Sequence, residues 1–201
     1  MLQLGVMSKD ARGNFHPEAD MTVGEYTRAI GRLMELDASL FSGYADGKLT
    51  REIMAAILHD AYRAKFKEKP KYMTDYNGKT ITPDDPRYDP NLDSASRGAM
   101  YYPLVSYEQL LDTQDIAPSL VGKVKDAYDL GLIRSEEGIA RGRMRNGRRL
   151  QPKQIVSRAK AAKTLYFMWV LIHPVHMENH VGDIRSHSND GTAKASPVDD
   201  K

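Results

Sequence analysis

TREIMAAIL at residues 50–58 decides the fold, because it has two counterparts without gaps: TVGEYTRAI at 22–30 and SRAKAAKTL at 157–165. Each begins with Thr or Ser, whose side-chain oxygen suits the N-cap of a helix. Thr22 is followed three places on by Glu25, a capping box, whereas the other copies carry Ile53 and Lys160 there. Tyr26, Met54 and Ala161 correspond, then Ile30, Leu58 and Leu165, then Leu33, Ala61 and Met168. Spacing of four and then three is the buried stripe of a helix. Three capped helices follow from this one alignment.

The flanks correspond as well. LGVMSKDARGNFHPEADMT precedes the first helix body, and LGLIRSEEGIARGRMRNGRRLQPKQIVS precedes the third. Both put a Gly after an apolar helix end, as a C-cap does. Both then run through a glycine-containing polar loop to an apolar residue, one spacer and Pro: Phe15-His16-Pro17 and Leu150-Gln151-Pro152. The second copy shortens this to FSGYADGKLT, with a Gly-Tyr-x-Asp-Gly turn and no Pro step. Ile116, Leu120, Val124 and Ala127 predict a further amphipathic helix that ends at Gly131. The unit is therefore helix, glycine loop, capped helix.

GYADGKLTREIMAAIL (43–58), DAYDLGLI (126–133) and LQPKQIVSRAKAAKTL (150–165), with LGVMSKDARGNFHPEADMTVGEYTRAI (4–30), together resemble the S-layer homology (SLH) repeat. The resemblance covers a little over half of the chain. It implies an all-α domain of three degenerate repeats in a pseudo-threefold bundle. It also implies non-covalent anchoring of an exported protein to anionic, often pyruvylated, secondary polysaccharide of the bacterial cell wall. In that family the Arg of the TRAE element recognises the acidic ketal, which here points to Arg51 and Arg158. Thr50, Ser157, Tyr44, Asp46 and Gly47 complete the candidate polysaccharide-binding set. Val23 stands where the first copy would carry its Arg, so no ligand role passes to it.

Elementary electrostatics reads the same arginines independently. A cation at the first turn of a helix faces the positive end of the macrodipole, at a cost of roughly 0.3–1 kcal/mol. Free N–H groups in that turn receive anions, and a guanidinium fork holds a carboxylate in two hydrogen bonds. An anionic ligand would resolve the misplacement. A single exposed Arg is an ordinary surface charge; two in register point to function.

The chain has 201 residues, 29 Lys plus Arg against 27 Asp plus Glu, and no Cys. Disulfides, thiolate zinc sites and cysteine nucleophiles are excluded. No apolar run reaches the ~18 residues of a membrane span, and the first residues do not form a signal peptide. The opening LQLGV reads as the end of a helix, so an upstream cargo segment of a longer polypeptide is expected. The small net charge conceals a basic stretch: Arg134 to Lys163 holds ten Lys or Arg against Glu136 and Glu137. Wall polymer is the expected partner. Single-stranded nucleic acid would call for interleaved aromatics, and none falls within the stretch, so no nucleic acid is expected.

The domain is read as 1–185, with repeat one at 1–36, repeat two at 37–66, an insertion at 67–106 and repeat three at 107–173. Residues 186–201 read as a disordered tail. The insertion carries five prolines together with Tyr72, Tyr76, Tyr88, Tyr101 and Tyr102, and predicts an ordered, loop-rich excursion. Asp84, Asp85, Asp89, Asn91 and Asp93 lack EF-hand spacing, and turns explain them. His173, His176, His180 and His187 follow or flank the helix-breaking Pro174. No metal or cofactor is expected, and no nucleophile elbow or phosphate loop occurs. The expectation is a binding module; the alternative is a carbohydrate-active enzyme, or its substrate-binding part, with a pocket in the Tyr- and Asp-rich insertion.

Overall fold

The three caps found in the sequence all start helices. The computed structural model describes residues 1–3, 5–69, 77, 79–82, 85–86, 105–135, 137–140 and 143–172. Within them lie α1 (Val23–Met34), α2 (Arg51–Lys65), α3 (Val121–Asp129) and α4 (Arg158–Ile172). Short 3-10 turns occupy Ala38–Phe41, Tyr107–Gln109 and Thr113–Asp115. The fold is all-α. Among the described residues one antiparallel hairpin, β1 (Glu137–Ala140) with β2 (Arg143–Asn146), pairs Ile139 with Met144 and forms a two-stranded sheet. The sequence reading had that segment only as a polar loop.

Thr22 caps α1 with the full capping box, its Oγ1 accepting from Glu25 N at 3.1 Å while Glu25 Oε2 accepts from Thr22 N at 3.0 Å. Gly5 (φ 65°) and Gly131 (φ 75°) both adopt the left-handed conformation expected after a helix end. Val6 N then bonds Met1 O at 3.1 Å, just as Leu132 N bonds Ala127 O at 2.9 Å. Helix α3 starts at Val121, later than the apolar spacing from Ile116 suggests. Pro118 lies between, and Ile116 is buried at the end of a 3-10 turn.

The residues just before the three caps close on one another. Met21 N donates to Val156 O at 2.9 Å, Val156 N to Leu49 O at 2.8 Å, and Leu49 N to Met21 O at 2.8 Å. Each segment gives one amide and takes one carbonyl, so the three bonds form a ring. Isolated bridges between Asp20 and Ser157, Thr22 and Lys48, and Thr50 and Ile155 extend it outward. The three side chains are buried, Leu49 and Val156 at 0% exposure and Met21 at 1%. Tyr26, Ile30, Met54, Leu58, Ala61, Leu165 and Met168 of the repeated stripe are all in the same core.

Leu49→Ala removes the side chain of a residue whose main chain belongs to the ring. A fully buried Leu truncated to Ala costs about 2–5 kcal/mol. The expected result is a lower urea midpoint with an unchanged m value; a midpoint within error of wild type would deny the centre its structural role.

Candidate functional site

The three helix starts carry the candidate site, and each is closed by the neighbouring unit. Val23 N donates to Gly47 O at 2.9 Å, Arg51 N to Gln154 O at 3.0 Å, and Arg158 N to Ala19 O at 2.9 Å. Those three carbonyls stand three residues before Thr50, Ser157 and Thr22, the next caps around the ring. The second amides follow suit: Glu52 N reaches Pro152 O at 3.0 Å and Ala159 N reaches Pro17 O at 2.9 Å. Where the FSGYADGKLT segment has no Pro step, Asp46 Oδ1 takes Gly24 N at 3.1 Å instead. The third amides bond the caps themselves, Ile53 N to Thr50 Oγ1 at 3.5 Å and Lys160 N to Ser157 Oγ at 3.4 Å. The free first-turn N–H groups expected as an anion receptor are thus already satisfied by the fold.

The two arginines are likewise committed to the fold. Arg51, 7% exposed, donates from Nε to Leu150 O and from a terminal nitrogen to Arg134 O, both at 2.6 Å. Arg158 repeats this with Phe15 O at 3.0 Å and Ser8 O at 2.8 Å. Leu150 and Phe15 hold the same place before Pro, and Arg134 and Ser8 the same place after the Leu-Gly turn. Each fork therefore pins both ends of one glycine loop to the start of a helix in another unit. Arg158 also lies 5.0 Å from the Phe15 ring centroid and 3.3 Å from Glu25 Oε1. Each guanidinium thus cross-links segments far apart in the chain.

The spacer before each Pro makes that cross-link possible. His16 has φ 53° and Gln151 φ 54°, left-handed values that cost a side-chain-bearing residue roughly 1–2 kcal/mol. Two carbonyls, one on either side of the spacer, thereby turn to the same helix start. Asp112, 3% exposed, holds the third-unit copy by accepting Leu150 N and Gln151 N, each at 2.8 Å. Asp10 braces the first copy, with Oδ2 2.7 Å from His16 Nε2. Sequence reasoning missed both acids.

The remaining candidates separate. Asp46 and Gly47 sit at the start of α1, as above, with Gly47 at φ 150°. Tyr44 lies elsewhere, donating to Asp60 Oδ2 at 2.6 Å between α2 and α3. Lys123 Nζ meets the same carboxylate oxygen at 2.6 Å, and His59 Nδ1 is 2.9 Å from Oδ1. On the far side of the imidazole, Nε2 is 3.1 Å from Asp126, which Arg63 grips with two bonds of 2.9 Å. Burial alone would push the Asp60 carboxyl up; hydrogen bonds from Lys123, Tyr44 and His59 outweigh it and hold the group below 3.8. Burial and the Asp60 charge push the Tyr44 phenol well above its ordinary value, so it remains a donor.

Exposed cations flank the Leu150-Gln151-Pro152 step that closes the start of α2. Arg148 and Arg149 are exposed just ahead of Leu150, and Lys153, with 58% of its side chain exposed, reaches Glu52 Oε1 at 2.6 Å. Lys160 is exposed on the first turn of α4. No group of His, Asp or Glu suited to a metal is found among the described residues. No helix among them is long and apolar enough to cross a membrane. The tyrosines at 72–102, all of the acidic cluster except Asp85, and the four late histidines lie outside the described residues.

No protein-family model matches the chain. No curated protein matches it either. Among solved structures, the chain is similar to an undecaheme cytochrome from the S-layer of Carboxydothermus ferrireducens, at 15% identity and a TM-score of 0.43. The likeness covers 78% of this chain but spans only 18% of that one.

Arg51→Ala strips a donor from the two carbonyls that the fork holds. At about 1–3 kcal/mol for each buried acceptor left unpaired, a loss of about 3 kcal/mol is expected in urea unfolding. Arg158→Ala, at a less enclosed junction, is expected to lose about half as much. Equal stability of both variants and wild type would return the forks to ligand duty.

Asp60 yields a pH prediction. Its folded-state pKa is depressed, so its stabilising contribution is present above 3.8 and is lost as pH falls through the lower folded value. Asp60→Asn should be less stable at neutral pH and lose less between neutrality and strong acid. Parallel acid limbs in urea titrations of variant and wild type would contradict this.

Proposed function

We propose that this chain is a non-covalent anchoring module that binds anionic bacterial cell-wall polysaccharide, pyruvylated in its favoured form, at the cell wall or S-layer. The three units form a pseudo-threefold bundle in this reading, with cargo carried by the same longer polypeptide. The carrying observation is that the pieces resembling SLH repeats meet as three like junctions around one hydrogen-bonded ring. The Leu-Gly turn, the apolar-x-Pro step and the capped Arg helix interlock across units in the same way at both full junctions. No cofactor is needed in this reading.

The candidate residues take distinct parts in this reading. Arg51, Arg158, Thr50 and Ser157 set the walls of the grooves between units, and Asp46 with Gly47 sets the corresponding wall at α1. Tyr44 steadies the flank of α2. Negative charge on the polymer is met by exposed cations of the basic stretch, among them Arg148, Arg149 and Lys153, the last paired with Glu52 in the first turn of α2. Such contacts gain modestly one by one and sum along a polymer.

The test is sedimentation with bacterial wall sacculi, before and after mild acid removal of ketal groups. Retention on intact walls, reduced at least tenfold by ketal removal or by Arg148→Glu with Arg149→Glu, is expected; the double variant should melt like wild type. Equal retention on both wall preparations rejects the pyruvylated ligand. Retention on neither rejects wall anchoring. Arg51→Ala is a poor probe here, because the loss of its cross-link changes stability as well.

A further inference from the structure

His59 of α2 lies between two carboxylates, and each of its ring nitrogens faces one of them. Nδ1 is 2.9 Å from Asp60 Oδ1 on its own helix, and Nε2 is 3.1 Å from Asp126 Oδ2 on α3. The side chains of His59 and Asp60 are only 20% and 11% exposed, so water has little access to that end of the pair. An ionised carboxylate accepts hydrogen bonds and donates none. Neutral imidazole has a single N–H and satisfies one of the two acids; its bare nitrogen turns a lone pair toward the other. The imidazolium, with an N–H on each nitrogen, ties both.

Each acid also has a permanent cation of its own. Lys123 of α3 meets Asp60 at 2.6 Å, and Arg63 of α2 grips Asp126. Among the described residues, the charged or titratable groups around the ring are thus Asp60 and Arg63 from α2, and Lys123 and Asp126 from α3. Tyr44, ahead of α2, joins them through Asp60. Two carboxylates against one Lys and one Arg balance, so the cluster is neutral with a neutral ring and carries one positive charge with a protonated one. The second proton gains a charge-assisted bond to α3 but faces two cations. Opposing terms of this kind make a switch rather than a permanent ion pair. We propose that His59 is a proton-operated latch on the seam between α2 and α3. Protonated, it ties Asp60 to Asp126; neutral, it releases one of them, while the Lys123–Asp60 and Arg63–Asp126 pairs stay in place. Helix α3 runs on through Gly131 to Arg134, whose carbonyl the Arg51 fork holds, so the latch acts on one end of a segment fixed at the other. The latch does not depend on what the chain binds.

With such a latch, folding takes up a proton at His59. Its contribution is complete on the acid side of the histidine range and is lost as pH rises through it, whereas that of Asp60 is lost in strong acid. The test is urea unfolding of the full chain between about pH 5 and 8, where histidine changes charge, with His59→Gln and Asp126→Asn alongside. Wild type should lose stability across this range relative to His59→Gln, by roughly threefold or more in the unfolding equilibrium constant. The other five histidines are common to both chains and cancel in the difference. In Asp126→Asn an amide replaces the carboxylate and can donate to a neutral ring. Its pH slope should therefore match that of His59→Gln, whatever its absolute stability. Protection of the α3 amides against hydrogen exchange, corrected for intrinsic rate, should fall over the same range in wild type more than in either variant. Parallel pH profiles for wild type and His59→Gln overturn the proposal. So does a wild type that gains stability with pH relative to the variant, or an Asp126→Asn chain that keeps the wild-type slope. If His59→Gln does not fold, His59→Asn takes its place, and the slope of Asp126→Asn against wild type decides alone.

Discussion

Met21, Leu49 and Val156 join three parts of the chain that are far apart in sequence, and they do so through main-chain groups alone. Because each gives its amide to one neighbour and its carbonyl to the other, removing any segment leaves both remaining segments with an unpaired polar group. The side chains at these positions are buried, so water cannot repair the loss, and each unpaired group costs about 1–3 kcal/mol. The capped helices radiate from this ring, and their first amides are completed by the next unit around it. Helix capping, usually a local matter, is here shared: no unit of this chain can finish its own helix start. Folding of the centre is therefore cooperative across the units.

The arginines show how a magnitude decides between two readings of one residue. A cation at the start of a helix loses roughly 0.3–1 kcal/mol to the macrodipole. A hydrogen bond from a charged donor contributes about 1.5–3 kcal/mol, and each fork makes at least two to main-chain carbonyls. The fold itself thus supplies enough to offset the unfavourable position, and an acidic ligand is not required to explain it. The same geometry gives the arginines a purpose that a ligand contact would not. They hold both ends of the glycine loops, and the left-handed spacers His16 and Gln151 turn the carbonyls on either side of them to the same helix start.

Much of this was legible in the sequence because it rests on local chemistry. Thr22, Thr50 and Ser157 announce helix starts through their hydroxyls, and Gly5 and Gly131 mark positions where a Cβ is unwelcome. The burial of Tyr26, Met54 and Ala161 follows from spacing alone. What an arginine binds is not local. Its acceptors at Leu150 and Arg134 are carbonyls 99 and 83 residues away, and every residue has a carbonyl, so no residue type signals the partner. Asp112 was hidden for the same reason, since a carboxylate that accepts two amides looks in sequence like any surface Asp. Tyr44 was grouped with Asp46 by nearness in the chain, although the turn sends its ring to α2 and α3 rather than to α1.

The likeness of the junctions also makes their differences informative. With the central ring and two full arginine cross-links in place, the units have no need to agree further out, and there they diverge. Helix α2 meets α3 through two carboxylates, a histidine and two cations, an arrangement whose charges must match residue by residue. Such seams contribute specificity more reliably than net stability. Helix α4 has shed all of these charges for aromatics while keeping its buried stripe. Tyr166, Phe167 and Trp169, which stacks on Tyr166, are half-buried there. The loop that precedes α4 bears the exposed Arg148 and Arg149. The near-neutral net charge thus conceals a local contrast: exposed Arg148, Arg149 and Lys153 precede α4, while the α2–α3 seam pairs its charges internally.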